Sequence, residues 1–185
     1  MINVNDFKTG MTIIVDNNLF SVIEFQHVKP GKGSAFVRTK LKNLRTGATI
    51  DHTFNAGIKV ETARVEKKQM QFLYSSGEDY IFMSMDDYSQ IEINKKSIGE
   101  DTKYLKENLD VEITFYKGEI LGINFPDKIE LTVVHTEPGV KGNTSSSAMK
   151  DATLETGYVI KVPLFINEGE TVIISTKDGK YQSRA

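Results

Sequence analysis

Short runs of alternating apolar and polar residues, separated by turn signals, recur along all 185 residues of the chain. The first group has four such runs, at Met11 to Val15, Leu19 to Val28, Ala35 to Leu44 and Thr49 to Phe54. They are rich in β-branched and aromatic residues, with Asn, Gly and Pro between them. Many short strands at close spacing are typical of small barrels, so the sequence predicts an all-β fold.

The same pattern continues through the rest of the chain. A second group of strands is predicted at Met70 to Ser75, Tyr80 to Met85, Ser89 to Ile93, Val111 to Tyr116 and Glu119 to Phe125. A third is predicted at Ile129 to Thr136, Ala152 to Leu154, Tyr158 to Val162, Thr171 to Thr176 and Tyr181 to Ser183. One helix is predicted at Ile98 to Asn108, from a sparse apolar stripe. Five strands with a short helix after the third indicate an OB-like barrel in the middle of the chain.

The loop between the second and third runs is the main candidate for a functional element. Pro30 fixes φ, and Gly31 and Gly33 can take positive φ, which predicts a narrow projecting tip. Lys32 then stands at the apex, between two residues that have no Cβ. An ordinary turn is the commoner explanation for Gly-Lys-Gly. A nucleotide-binding P-loop is excluded, because Gln26 and Gly33 stand where it needs Gly and Ser or Thr.

The charged residues around this loop are all basic. Residues 25–50 contain no acidic residue and six basic ones: Lys29, Lys32, Arg38, Lys40, Lys42 and Arg45. Arg38, Lys40 and Lys42 share a parity, so a strand places them on one face, roughly 7 Å apart, with Val37, Thr39 and Leu41 toward a core. Such a row can follow a phosphate backbone. A charged outer face that prevents strand aggregation would explain the same residues, and both interpretations stay open.

Composition limits the function classes. The net charge is −2, distributed as +3 over residues 1–63, −5 over 64–127 and 0 over 128–185, which favours contact with a polyanion through one end or face. Cysteine is absent, so disulfide and thiolate chemistry are excluded. No signal-peptide pattern or apolar run of about 18 residues occurs. We therefore expect a cytoplasmic protein with no membrane partner.

The sequence favours binding over catalysis. His27, His52 and His135 are scattered, without the spacing of a metal site, so neither a metal nor another cofactor is expected. No serine nucleophile motif occurs. Lys32 as a nucleophile would need a pKa lowered by burial or by a neighbouring cation, and a glycine-flanked tip offers no burial. We expect no enzymatic activity.

Two motifs together resemble a known family over the whole length of the chain. The first is Pro30-Gly31-Lys32-Gly33, and the second, near the C-terminus, is Lys150, Ala152, Gly157, Ile160, Val162, Pro163, Ile166 and Gly169. Both are similar to bacterial elongation factor P. The resemblance implies a KOW/SH3-like barrel (residues 1–63) followed by two OB-fold barrels (64–127 and 128–185), in an L-shape that resembles tRNA.

The same resemblance implies partners and roles for individual residues. The family binds ribosomes stalled on consecutive prolines, between the peptidyl and exit sites, and Lys32 matches the position that many members modify with a dedicated enzyme. Lys32 would then reach the CCA end of peptidyl-tRNA. The remaining implied tRNA- and ribosomal-RNA-contacting residues are Lys29, Arg38, Lys40, Lys42, Arg45, Tyr181 and Arg184. Gly142, Asn143 and Thr144 fall where the family commonly has Gly-Asp-Thr, in a loop that approaches the exit-site codon.

The expected state of the protein is a monomer, and two alternative functions stay open. One is the elongation factor P-like paralogue, which the Lys32 tip and the filled C-terminal motif disfavour. The other is a general single-stranded-RNA-binding OB protein, which predicts aromatics interleaved with basic residues. Only Phe36 shares the face of Arg38, Lys40 and Lys42. For Tyr181 and Arg184, an ordinary final strand explains the sequence nearly as well.

Overall fold

The computed structural model describes residues 1–139 and 148–185, and sixteen strands in three sheets dominate this part of the chain. The predicted all-β fold is confirmed. No helix in the described ranges has the length and apolar character that crossing a membrane requires. By internal packing the chain divides into two compact units, residues 1–67 with 113–122, and residues 68–112 with 123–185.

The first sheet contains six antiparallel strands in the order β1-β6-β2-β3-β4-β5. Their bounds are β1 Ile2–Asn3, β2 Thr12–Val15, β3 Asn18–Val28, β4 Phe36–Asn43, β5 Thr49–Asn55 and β6 Lys59–Thr62. The core has apolar residues from these strands and from the 3-10 turn after β1: Val4, Phe7, Ile13, Phe20, Val22, Val37, Leu41 and Phe54. The four predicted runs are all strands, while the short β1 and β6 have too few residues to show a period in the sequence.

The second sheet has the order β11-β10-β7-β8-β9. Its strands are β7 Glu66–Ser76, β8 Asp79–Ser84, β9 Gln90–Asn94, β10 Asp110–Tyr116 and β11 Glu119–Asn124. A short helix, α1 Lys95–Ile98, follows the third of them and leads into a 3-10 helix, Gly99–Tyr104. The predicted order of five strands with a helix after the third is therefore confirmed.

The extent predicted for this helix, 98–108, is wrong. The α-helical turn ends at Gly99, whose φ is 77°. Further along, the backbone of Asn108 and Leu109 forms hydrogen bonds with both backbone groups of Phe72, at 2.8 and 2.9 Å. Leu105 and Leu109 are buried, as an apolar stripe predicts, but they extend from irregular backbone. Pairing with β7 thus replaces the helical hydrogen bonds that periodicity suggested.

The third sheet has the order β14-β13-β12-β15-β16. Its strands are β12 Lys128–Thr136, β13 Met149–Leu154, β14 Val159–Pro163, β15 Thr171–Ser175 and β16 Tyr181–Arg184. Each of the three sheets falls inside one of the predicted domains (1–63, 64–127 and 128–185). The domain boundaries themselves stay a prediction.

The C-terminal sequence motif has a structural role in this sheet. Four of its apolar positions are buried in the core: Ala152, Ile160, Val162 and Ile166. Gly157 and Gly169 both have φ of 87°, a conformation that residues with a Cβ rarely adopt. Lys150 Nζ donates a hydrogen bond to the carbonyl oxygen of Glu137 at 2.7 Å, joining the ends of β12 and β13. The motif therefore specifies the fold of this region.

The second unit contains a packed aromatic cluster. The buried ring of Tyr104 lies edge-on to Phe125 and Tyr158, with centroid distances of 5.7 and 6.0 Å. Tyr158 Oη donates a hydrogen bond to the carbonyl of Gly179 at 2.8 Å. Lys103 Nζ lies 4.7 Å from the centroid of the Tyr158 ring. Gly179, in the turn before β16, is buried against these two tyrosines.

This packing predicts an unusual sensitivity at Gly179. Its φ is 72°, and an added Cβ would lie 2.5 Å from Tyr158 Oη and 2.9 Å from Tyr104 Oη. We expect Gly179→Ala to lower the free energy of unfolding by about 2–4 kcal/mol, through backbone strain plus overpacking. The matched control is Gly169→Ala, where φ is 87° and nothing lies within 4 Å, with an expected loss of about 1–2 kcal/mol. Equal losses in urea denaturation would contradict the role of the tyrosines.

Candidate nucleic-acid interface

The candidate loop, residues 29–35, lies between the long strands β3 and β4. Gly33 has φ of 99°, so this position favours glycine, and an added Cβ there would lie 4.0 Å from Pro30 Cγ. Gly31 is outside the positive-φ region, and a Cβ at that position would meet no atom within 4 Å. Gly33 is thus needed by the loop conformation, whereas the fold itself would accept a side chain at Gly31.

Lys32 is exposed at this loop, as is Lys29. Among the described residues, no hydrogen bond, ion pair or ring contact holds the Lys32 ammonium group. An ammonium group offers three donors and a full charge, so the tip presents a cation that the fold itself does not use. The predicted geometry, a lysine between glycines on a β-hairpin, matches the structure.

The face predicted for β4 is confirmed. Val37, Thr39 and Leu41 are buried, and Thr39 Oγ1 donates a hydrogen bond to the carbonyl of His52 at 2.6 Å. Side chains alternate along a strand, so the residues between them point away from the core. Arg38 and Lys42 are exposed, and Lys40 is half-buried.

Two carboxylates lie on the same outer face. Antiparallel pairing places Lys40 opposite Glu24 on β3 and opposite Asp51 on β5. The Lys40 Nζ–Glu24 Oε2 distance is 3.7 Å. Counting charges along the sequence missed this arrangement, because Glu24 and Asp51 lie immediately outside the acid-free segment of residues 25–50. The outer face is therefore defined here as Arg38, Lys40 and Lys42 together with Glu24 and Asp51.

Arg45 lies in the β4–β5 turn and makes a bidentate ion pair. Its Nε and Nη2 lie 3.0 and 3.1 Å from the two carboxylate oxygens of Glu119, the first residue of β11. Asn43 Oδ1 accepts hydrogen bonds from the backbone of Arg45 and Thr46, which shapes the turn. Hydrogen bonds from Arg45 lower the pKa of Glu119, and those same bonds raise the pKa of Arg45. The guanidinium is thus already engaged within the chain.

The predicted residues at the C-terminal end lie on β16. Arg184 stacks on the exposed ring of Phe165, with 4.6 Å between Cζ and the centroid, and its Nη2 lies 3.4 Å from Glu170 Oε1. Tyr181 is half-buried opposite Ile174. The predicted Gly142, Asn143 and Thr144 lie outside the described residues. Within the described ranges, no group of three or more His, Cys, Asp or Glu residues is placed to hold a metal ion.

The sequence matches three family descriptions that together span almost the entire chain. They are "Elongation factor P (EF-P) KOW-like domain" over residues 3–60, "Elongation factor P (EF-P) OB domain" over 65–123 and "Elongation factor P, C-terminal" over 129–184. With three β-sheets and a lysine-tipped hairpin, these matches define a translation factor. The chain belongs to the elongation factor P family.

Solved structures support the same fold. The chain is similar to eukaryotic translation initiation factor 5A from Methanococcus jannaschii, with 22% identity and a TM-score of 0.53, over 66% of this chain and 92% of that one. A translation initiation factor eif-5a family protein from Naegleria fowleri gives 17% identity and a TM-score of 0.54, over 67% and 96% of the two chains. At these identities the likeness concerns the fold alone.

The ion pair between Arg45 and Glu119 predicts an acid-sensitive contribution to stability. Because the Glu119 pKa is lowered in the folded chain, the contribution is present above the ordinary glutamate pKa and is lost as the pH falls through the lowered value. We expect Arg45→Met to lower the melting temperature by about one to three degrees at pH 7, and by less at pH 3.

A charge-reversal pair provides the control for this prediction. Arg45→Glu combined with Glu119→Arg should recover most of the melting temperature that either single reversal loses, because the two side chains can still pair. Strictly additive losses in the double variant would show that the contact does not stabilise the chain.

Proposed function

We propose that this translation factor binds the ribosome beside peptidyl-tRNA and stimulates peptide-bond formation at consecutive prolines. The observation that supports this most directly is Lys32, exposed in the loop between β3 and β4 and unengaged by any described residue. A cation that the fold does not need is available for a partner. Membership of the elongation factor P family supports the ribosome as that partner, and we propose the peptidyl-transferase region as the place of contact.

The proposed mechanism is positional. The proline ring restricts the backbone of the nascent peptide, so a stalled complex holds its reacting groups in poor relative orientation. The Lys32 ammonium would contact the CCA end of peptidyl-tRNA through charge-assisted hydrogen bonds and fix its position. Orientation of bound reactants can lower a barrier substantially without new covalent chemistry. Peptidyl transfer stays with the ribosome, and the factor itself is not an enzyme.

The exposure of Lys32 also supports its modification by a partner enzyme. A lysine-modifying enzyme must reach Nζ, and open space surrounds the neighbouring Gly31. A modification that extends the side chain would lengthen the reach of the tip. The enzyme would recognise the loop in the free factor, before ribosome binding.

Basic side chains outside the tip would hold the factor on RNA backbones. We place Lys29 and the outer face of β4 along tRNA and ribosomal RNA, where phosphate contacts fix orientation. Arg45, Tyr181 and Arg184 are further proposed contacts, as is the segment of Gly142, Asn143 and Thr144 near the exit-site codon. The factor would act as a monomer in the cytoplasm.

The test is a purified translation system that reads three consecutive proline codons, supplied with factor isolated from its own host so that any modification is kept. We expect Lys32→Ala to slow proline–proline bond formation about tenfold or more relative to wild type, because orientation at the reacting centre is lost. Lys177→Ala, an exposed lysine in the turn before β16, is the matched control and should retain full activity.

Three outcomes of this experiment distinguish the proposed function from the proposed role of Lys32. Loss of stall relief with Lys32→Ala alone supports both the function and the role of the tip. Equal relief by wild type and Lys32→Ala keeps the function but contradicts the proposed role of Lys32. Failure of the wild type to relieve the stall, while an mRNA without the proline codons is translated normally, contradicts the proposed function.

A further inference from the structure

The outer face of β4 does not present the uniform row of positive charge that its sequence suggests. Lys40, the middle of the three basic residues, is bracketed by Glu24 on one neighbouring strand and Asp51 on the other. Directly opposed residues on antiparallel strands have Cβ atoms about 4.5–5.5 Å apart, so both carboxylates lie within reach of the Lys40 ammonium. Glu24 is already 3.7 Å from it.

The other two basic residues have different neighbours. Arg38 is opposite Gln26 and Thr53, and its guanidinium lies 5.5 Å from the ring centroid of Phe36. Lys42 is opposite Ser21 and Thr49, which carry no charge. In the part of the chain that the structure describes, neither Arg38 nor Lys42 makes an ion pair. Both keep their full charge available for a ligand.

Glu24, Arg38, Lys40 and Asp51 line one open groove of about 480 Å³. A phosphate that approached Lys40 in this groove would lie close to two carboxylates of its own sign. Each carboxylate repels the phosphate, and the two together oppose the attraction of the single ammonium group. The repulsion from the two carboxylates largely cancels what Lys40 contributes to phosphate binding.

We propose that RNA phosphates contact this face at two separate points, Arg38 and Lys42, and that Glu24 and Asp51 withhold Lys40 from the RNA. This inference rests on the proposed function for its partner, an RNA backbone. It assigns a role to Glu24 and Asp51, which lie just outside the acid-free segment of residues 25–50. They limit the affinity of the face for RNA and interrupt what would otherwise be a continuous phosphate track.

The test measures how the affinity for bulk deacylated tRNA depends on salt concentration, by fluorescence anisotropy. Each lost phosphate contact reduces the slope of log K against log salt by about 0.7 to 0.9. We expect this reduction for Arg38→Met and for Lys42→Met. The triple variant Glu24→Gln, Lys40→Met and Asp51→Asn should keep the wild-type slope, because its neutral side chains remove no phosphate contact.

A double variant is expected to change the salt dependence of tRNA binding in the opposite direction. Glu24→Gln with Asp51→Asn frees Lys40, so we expect about fivefold tighter tRNA binding at low salt and a slope steeper by about 0.7 to 0.9. Lys177→Met serves as the control outside the face. Melting curves check that each variant is folded. All five positions of the outer face are exposed or half-buried, so we expect the substitutions to leave the fold intact.

The results distinguish this inference from the proposed function. If the triple variant loses as much slope as Arg38→Met, Lys40 itself contacts phosphate and the inference is wrong. If the wild-type factor relieves stalling but its affinity for tRNA does not depend on salt concentration, the inference is also wrong, and the proposed function stands. Variants that behave as expected, in a factor that does not relieve stalling, support the inference and contradict the function.

Discussion

The antiparallel pairing of β3 with β4 is the interaction on which the candidate site depends. It fixes which residues of β4 face the core, because a shift by one residue would exchange Val37 and Leu41 with Arg38 and Lys42. The same pairing runs to Val28 and Phe36, where the strands end and the loop begins. Burial of the apolar side of one strand therefore positions both the outer face and Lys32.

Much of this arrangement could be predicted from local sequence. Alternation identified β4 and its two faces, and the glycines around Lys32 indicated a projecting turn. These features depend on residues that are neighbours in the chain. The helix prediction failed because α1 ends at Gly99. Asn108 and Leu109 instead form hydrogen bonds with Phe72, on a strand more than thirty residues earlier in the chain.

The electrostatic environment of the basic residues could not be predicted in the same way. Glu24 and Asp51 reach Lys40 only through the register of two strand pairs, and Arg45 meets Glu119 across 74 residues of sequence. A charge count over consecutive residues therefore overestimates how many basic groups have no carboxylate beside them. The C-terminal motif could be recognised from the sequence alone. Its buried and positive-φ residues stabilise the fold, and the same residues carry the resemblance to the family.

The central claim, that Lys32 approaches the CCA end of peptidyl-tRNA, can be tested by directed hydroxyl-radical probing. The chain has no cysteine, so Lys32→Cys provides a single site for an iron chelate, with Lys177→Cys as the reference position. On ribosomes stalled at consecutive prolines, we expect cleavage at the 3′ end of peptidyl-tRNA from position 32 and none there from position 177. Absence of cleavage from position 32, in a factor shown to be bound, would contradict it.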